Sequence, residues 1–224
     1  MKIAIQVKTC GKYFNPYFKC VCLDRYDVEQ HFLIISMEDG GIDLETYEFK
    51  NMREVESVLV QLIHSLALAE EKIQFEHRDL HLGNILVKST SVENFYHHDD
   101  SFKFNGIKCS IIDYSLSRMR DSAGVAFRDL NTIEWLFEGD PNVDSQYQVY
   151  KDMRNSIGQS SWKDFHPRTN ILWLNFIFER LVQKQRKSIQ KPKYVLSNLQ
   201  KLHKNILKYS SVLELKQKDE FFYK

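Results

Sequence analysis

Three polar residues at fixed spacing carry the chemistry of this sequence. Residues 75–87 read Phe-Glu-His-Arg-Asp-Leu-His-Leu-Gly-Asn-Ile-Leu-Val. This is an H-R-D triplet, then an Asn five residues after its Asp, then an apolar run. About 30 residues later comes Ile111-Ile112-Asp113-Tyr114-Ser115. Two apolar strands, each with an acid or amide at one end, supply what phosphoryl transfer needs. Asp79 would orient an attacking hydroxyl and take its proton, while the Asn84 amide oxygen and the Asp113 carboxylate would hold Mg²⁺ on the nucleotide phosphates. A lone H-R-D is common, and an acid ending a strand is often only a cap. Here the order, the spacing and the flanking strands agree.

The elements around these residues must position them. Residues 52–73 carry Val55, Val58, Leu59, Leu62, Ile63, Leu66 and Ala69 or Glu70 at helical spacing, which predicts a core-facing helix leading into the His77 loop. His64 within it reads as a surface or core residue. Strands are expected at 85–88 and 108–113, joined as a hairpin by the polar stretch 91–105. His97-His98-Asp99-Asp100 in that stretch reads as a solvated loop, since adjacent side chains seldom converge on one ion.

Upstream, 2–8, 18–23 and 32–37 read as three strands of a small antiparallel sheet, punctuated by Gly11 and Asn15-Pro16 and ended by Glu38-Asp39-Gly40-Gly41. The paired glycines fit a plain turn or a bare backbone close to a ligand. Downstream, helices are predicted at 142–154 (Val143, Tyr147, Val149 or Tyr150, Met153 inward), 170–184 and 194–210, with a short piece from Val212. The basic run 184–193 reads as a solvated loop. A short sheet followed by helices predicts an α+β fold.

Composition sets limits. The 224 residues are 43% hydrophobic and 27% charged with net charge +1, enough for one domain or two small lobes and without a basic footprint for nucleic acid. Cys10, Cys20, Cys22 and Cys109 lack metal-ligand spacing and read as free thiols in a reducing, intracellular compartment. No apolar run approaches the roughly 20 residues of a membrane span, and no signal peptide is apparent.

Taken together, HRDLHLGNILVK at 77–88 and IIDYSLSR at 111–118 resemble the haspin family of serine/threonine protein kinases. That family reads H-R-D-L-H-W-G-N and replaces D-F-G with D-Y-T; this chain has Leu82 for the Trp and Asp113-Tyr114-Ser115. The similarity extends through Gly40 to Glu45, Asp129, Leu136 to Asp140 and His166 to Leu174, essentially the whole chain. The resemblance implies a protein-kinase-like α+β fold, with residues 1–38 a remnant of the small β lobe and 39–224 the mainly helical C-lobe. It implies Asp79 and His81 as catalytic residues and Asn84 and Asp113 as Mg²⁺ ligands. Glu38, Gly40, Asp43, Asn84 and Asp113 would contact ATP, with Met37 as gatekeeper. Family substrates imply a monomeric nuclear enzyme acting on a histone-tail threonine during mitosis, active without activation-loop phosphorylation. No A-P-E segment is present, as in the family.

The pattern also departs. No Gly-rich loop, V-A-I-K lysine or partner glutamate precedes Glu38; Lys2 and Lys8 stand in other contexts. A haspin catalytic domain without the first half of its small lobe is therefore expected, and loss of the phosphate-clamping lysine predicts at least a ~10²-fold slower rate. Ile133 and Trp135 stand where acidic tail-reading residues are expected, with Glu134, Asp140 and Asp144 nearby. The alternative is a pseudokinase or a peptide- or nucleotide-binding module without turnover. Retention of Asp79, Asn84 and Asp113 together opposes it. A small-molecule kinase of aminoglycoside or choline type shares H-x-D-x-x-x-x-N, but Arg78 and residues 114–118 oppose that reading.

Overall fold

Asn51 starts the longest helix, α1 (Met52–Ile73), by accepting the amides of Arg53 (2.9 Å) and Glu54 (3.1 Å) on its side-chain oxygen. The predicted stripe, Val55 to Leu66, is buried. The helix ends at Gln74, whose left-handed backbone (φ 47°) returns its amide to the preceding turn. That reversal feeds Phe75 into the H-R-D loop. These coordinates are a computed structural model describing residues 4–7, 33–36, 38–97, 100–184 and 193–223. The chain divides into two units, Met1–Asp39 and Gly40–Lys224.

In the first unit, β1 (Ala4–Val7) pairs antiparallel with β2 (Leu33–Ser36), in register from Ala4↔Ser36 to Val7↔Leu33. The strand expected at 18–23 lies outside the described residues, as do Lys2, Lys8, Gly11, Asn15-Pro16, Met37, Cys10, Cys20, Cys22, His98, Asp99 and the basic stretch 185–192.

The second unit contains a three-stranded antiparallel sheet of β3 (Ile42–Asp43), β4 (Ile85–Ser89) and β7 (Ile107–Ile111), in the order β3-β4-β7. The connection 91–105 folds into its own hairpin, β5 (Asn94–His97) with β6 (Asp100–Lys103), where a loop was expected. Gln61 of α1 ties helix to sheet: its Oε1 accepts the Cys109 amide (2.8 Å) and its Nε2 donates to the Ile107 carbonyl (3.1 Å). Cys109 is a free thiol, as read from the sequence, and burial pushes it up to about 12.

After Asp113 come a small hairpin, β8 (Met119–Asp121) with β9 (Gly124–Ala126), and the short α2 (Trp135–Glu138). Helices α3 (Gln146–Ile157), α4 (Arg168–Lys184), α5 (Lys193–Ile206) and α6 (Val212–Lys218) complete the unit. Trp173, Ile177, Phe178 and Leu181 of α4 and Val195, Leu199, Leu202 and Ile206 of α5 share one core with α1. The expected start of α3 at 142 needs correcting. The Asp140 carboxylate accepts the Asn142 amide (2.9 Å) and the Asp144 carboxylate the Gln146 amide (3.0 Å). These side chains hold turns that compete with the helix, so Val143 lies before it, exposed rather than inward.

The paired glycines are explained by packing on β4. A Cβ on Gly40 would meet Leu86 Cδ1 at 2.5 Å; one on Gly41, at φ +99°, would meet the Val87 carbonyl oxygen at 2.1 Å. Gly106 also has positive φ but open space around it. Gly41→Ala should therefore lower the urea-unfolding free energy well beyond the roughly 1 kcal/mol expected for Gly106→Ala from backbone strain alone. Equal losses would show that the contact with β4 carries no weight.

Candidate active site

The H-R-D loop is built around a buried ion pair. Glu76 and Arg78 are both fully buried. Arg78 Nε and Nη2 each donate to a Glu76 carboxylate oxygen at 3.0 Å, and the guanidinium lies 5.2 Å from the Trp162 ring centre. Glu76 also accepts the His166 amide (2.8 Å) and the Thr169 hydroxyl (2.9 Å). Arg78 holds a left-handed backbone (φ 66°), which a bulky residue adopts only where its surroundings enforce it. The Glu76 backbone exchanges two 2.9 Å hydrogen bonds with Arg118, stapling the loop to the segment after Asp113.

His77 ties the loop to the next motif. Its amide donates to Asn170 Oδ1 (3.0 Å), and its Nδ1 accepts the Asp79 amide (3.3 Å). Nε2 therefore carries the hydrogen and donates to the Ile112 carbonyl at 3.0 Å. A neutral ring fits this arrangement, and burial pushes its pKa down to about 4. The Ser117 hydroxyl closes the link by donating to the His77 carbonyl (3.1 Å).

Asp79 follows. The Tyr150 hydroxyl donates to its Oδ1, which lies 4.0 Å from His81 Nε2. Burial raises the Asp79 carboxyl above its ordinary range, opposed by the Tyr150 hydrogen bond and the nearby His81, and reinforced by the charge of Asp113. His81 accepts the Gly83 amide on Nδ1 (3.1 Å), capping the 3₁₀ turn Leu82–Asn84, so its Nε2–H is turned toward Asp79.

Asn84 Nδ2 donates to the Asp79 carbonyl (2.8 Å), which fixes the amide so that Oδ1 is the atom that could meet a cation. The Asn84 carbonyl accepts the Ile112 amide (3.0 Å), bringing the start of β4 against the end of β7. Asp113 is exposed with a left-handed backbone (φ 59°), and hydrogen bonds from Ser115 hold its carboxyl below the ordinary range. One amide oxygen and one ionised carboxylate suit Mg²⁺, which takes one or two protein oxygens along with phosphates and water. Among the described residues there is no cluster of three His, Cys, Asp or Glu side chains that would form an all-protein cage.

Asp79, His81, Asn84 and Asp113 are thus brought together. Asp43 is engaged locally: the Thr46 amide and hydroxyl each donate to it at 2.9 Å, capping a turn after β3. Gly40 packs on Leu86, and Glu38 is an exposed residue of the first unit. Three residues had no role in the sequence reading. Tyr150 was only half of an apolar pair, and Asn170 only the start of an apolar helix. Glu70, placed on the core stripe of α1, accepts Asn170 Nδ2 (3.0 Å), the Val212 amide (3.2 Å) and the Leu213 amide (2.8 Å). Asn170 Nδ2 also donates to the Phe75 carbonyl (2.9 Å). The only sequence signal for these residues was a polar side chain interrupting an apolar face.

An H-R-D loop slung between a long helix and a strand pair, with its backbone anchored on α4, is the organisation of a protein-kinase-like α+β fold. The haspin-like kinase domain family matches residues 7–224, and the chain belongs to that family. It is 34% identical over 202 residues to the mouse serine/threonine-protein kinase haspin, covering 86% of this chain and 26% of that protein. It is 37% identical over 157 residues to the Drosophila melanogaster haspin homolog (68% and 27% covered) and 35% identical over 198 residues to the Arabidopsis thaliana homolog (87% and 32% covered). The chain spans about a quarter to a third of the length of these relatives. Among the described residues no helix is long and apolar enough to cross a membrane.

Glu70 makes the site's support pH-sensitive. Burial raises its carboxyl from 4.5 to about 7, despite three donors around it. A group raised on folding contributes stability that is full below its unfolded pKa and lost as pH rises through about 7. Glu70→Gln removes that dependence. The unfolding free energy of the variant relative to the parent should therefore rise between about pH 5 and pH 8 by urea titration. A gap constant with pH would show that Glu70 titrates normally.

Proposed function

We propose that this chain is the catalytic lobe of an ATP- and Mg²⁺-dependent serine/threonine kinase that phosphorylates a nuclear protein, most specifically a basic histone tail. One observation carries the reading: hydrogen bonds join Asp79, Asn84 and Ile112, the residue before Asp113, through Asn84 Nδ2 to the Asp79 carbonyl, the Ile112 amide to the Asn84 carbonyl, and His77 to the Ile112 carbonyl. In this reading Asp79 accepts the proton of the substrate hydroxyl as it attacks the γ-phosphorus, and the β–γ bridging bond breaks toward ADP. Asn84 and Asp113 would hold Mg²⁺, which when bound would neutralise phosphate charge. Gly40 and Asp43 would belong to the nucleotide side by resemblance.

A cleft of about 790 Å³ beside His81 includes Glu45, Val143, Asp144, Phe176 and Arg180. The cleft carries two carboxylates and one guanidinium, with Asp144 3.9 Å from Arg180, and the net negative charge suits a cationic peptide. Arg78 is already neutralised by Glu76, so no added phosphate is needed to order the loop. This supports activity without activation-loop phosphorylation.

The test is transfer of labelled phosphate from ATP to a histone-tail peptide. Asp79→Asn should lower the rate by about 10²-fold or more while leaving the thermal midpoint unchanged, because it removes the base and no core volume. Asp113→Ala should abolish Mg²⁺-dependent ATP binding in calorimetry. An Asp79→Asn protein that keeps its rate, or an Asp113→Ala protein that binds Mg²⁺-ATP as the parent does, would refute the assignment.

A further inference from the structure

The geometry points to Tyr150 as the positioning residue of Asp79, the side chain that fixes which carboxylate oxygen receives the substrate proton. The inference rests on the kinase reading and deepens it. Tyr150 reaches Asp79 from 71 residues away and donates its hydroxyl to Oδ1. The other oxygen, Oδ2, is left to face the acceptor hydroxyl, and proton transfer then has one defined destination. A carboxylate on a loop otherwise rotates about its terminal torsion, a broad and two-fold well. A donor clamped to one oxygen removes that freedom before substrate arrives.

Tyr150 is built to hold still. It is only 3% exposed. Its ring meets Trp173 edge-on at 5.3 Å and lies 6.4 Å from Tyr147. Its helix is fastened beside it by Lys151, which donates to the Gly139 carbonyl at 2.9 Å. Gly139 is a glycine of necessity, since a Cβ there would lie 2.1 Å from the Tyr147 ring. Trp173 sits on α4, the helix whose Asn170 holds the His77 amide. Base and clamp are therefore referred to the same helix, and relative drift between them is small. Burial and the Asp79 charge both raise the phenol well above its ordinary range, so it stays a donor throughout the working pH range.

No other side chain of the H-R-D loop makes this contact. His81 Nε2 is 4.0 Å from the same oxygen, beyond a hydrogen bond, and its ring is committed to the Gly83 amide. Asn84 spends its Nδ2 on the Asp79 carbonyl.

The test is Tyr150→Phe, which keeps the ring and its packing and removes only the hydroxyl. Phosphate transfer from ATP to a histone-tail peptide should lose about 10-fold or more in kcat, with KM for both substrates within about 2-fold of the parent. A packing role would instead lower the thermal midpoint and leave kcat per folded molecule intact. Unchanged kcat in the folded variant, or a raised KM with kcat preserved, overturns the inference. A second readout needs no activity. With tyrosine labelled at ¹³Cζ, the Tyr150 resonance should move between the parent and Asp79→Asn, because its acceptor changes from an ionised to a neutral group. An unmoved resonance overturns the inference. Absence of transfer by the parent counts against the kinase reading alone, and the resonance then decides for Tyr150.

Discussion

The Glu76–Arg78 pair is the contact on which the site depends. Both charges lie outside the reach of water, and removing two ions from water costs several kcal/mol per ion. Such a pair gains from every remaining lone pair and proton that is used; Arg78 Nη1 has no hydrogen-bond partner among the described residues, so the compensation falls on the carboxylate. Here each carboxylate oxygen has a second donor, the His166 amide on one and the Thr169 hydroxyl on the other. Both donors come from the start of α4 and the residues just before it. The pair therefore does more than neutralise charge: it fixes the H-R-D turn against α4 and holds Arg78 in its left-handed conformation. That conformation sets the direction in which Asp79 leaves the loop. Losing one partner would strand the other charge in the core, at a cost of about 3–5 kcal/mol.

A second chain of polar contacts runs beside it. The amides that open α6 donate to Glu70, Glu70 accepts Asn170, Asn170 accepts the His77 amide, and His77 donates to Ile112, next to Asp113. Its two titratable members oppose each other. His77, lowered from 6.5 to about 4, contributes stability present above pH 6.5 and lost as pH falls through about 4. Glu70 has the opposite sign and is lost as pH rises through about 7. Between about 4.5 and 6.5 the two slopes offset each other, so the support of the site is buffered where either group alone would make it pH-dependent.

What was legible in the sequence follows from the range of the interactions. Helix α1 could be read to both ends because its apolar stripe is local. The H-R-D loop and the strands after it were legible because Asp79, Asn84 and Asp113 sit at the ends of short, self-declaring elements. The β5–β6 hairpin was missed because its strands are polar and lack the alternation that marks a half-buried sheet. The start of α3 was misplaced because Asp140 and Asp144 hold turns through their side chains, a competition that apolar spacing does not report. Tyr150, Asn170 and Glu70 escaped for a different reason. Their partners lie 71 to 143 residues away, and in the sequence each is simply a member of a mainly apolar face. Only the fold reveals that the polar atom at its tip has a destination.

The two acids of the site illustrate how environment divides labour between identical groups. Asp79 lies in the wall of the protein, and burial raises its affinity for a proton. Asp113 is exposed, and Ser115 lowers its affinity. Two carboxylates whose proton affinities are pushed apart are suited to different tasks. The one that welcomes a proton fits the acceptor of the substrate hydrogen; the one that resists it fits a ligand that must stay charged beside a cation. Under the proposed kinase reading, exchanging the two environments would give a base too weak to take a proton and a ligand too easily neutralised. The backbone is left-handed at Arg78, the residue before one acid, and at Asp113, the other acid, a conformation that persists only where the surroundings over-determine it.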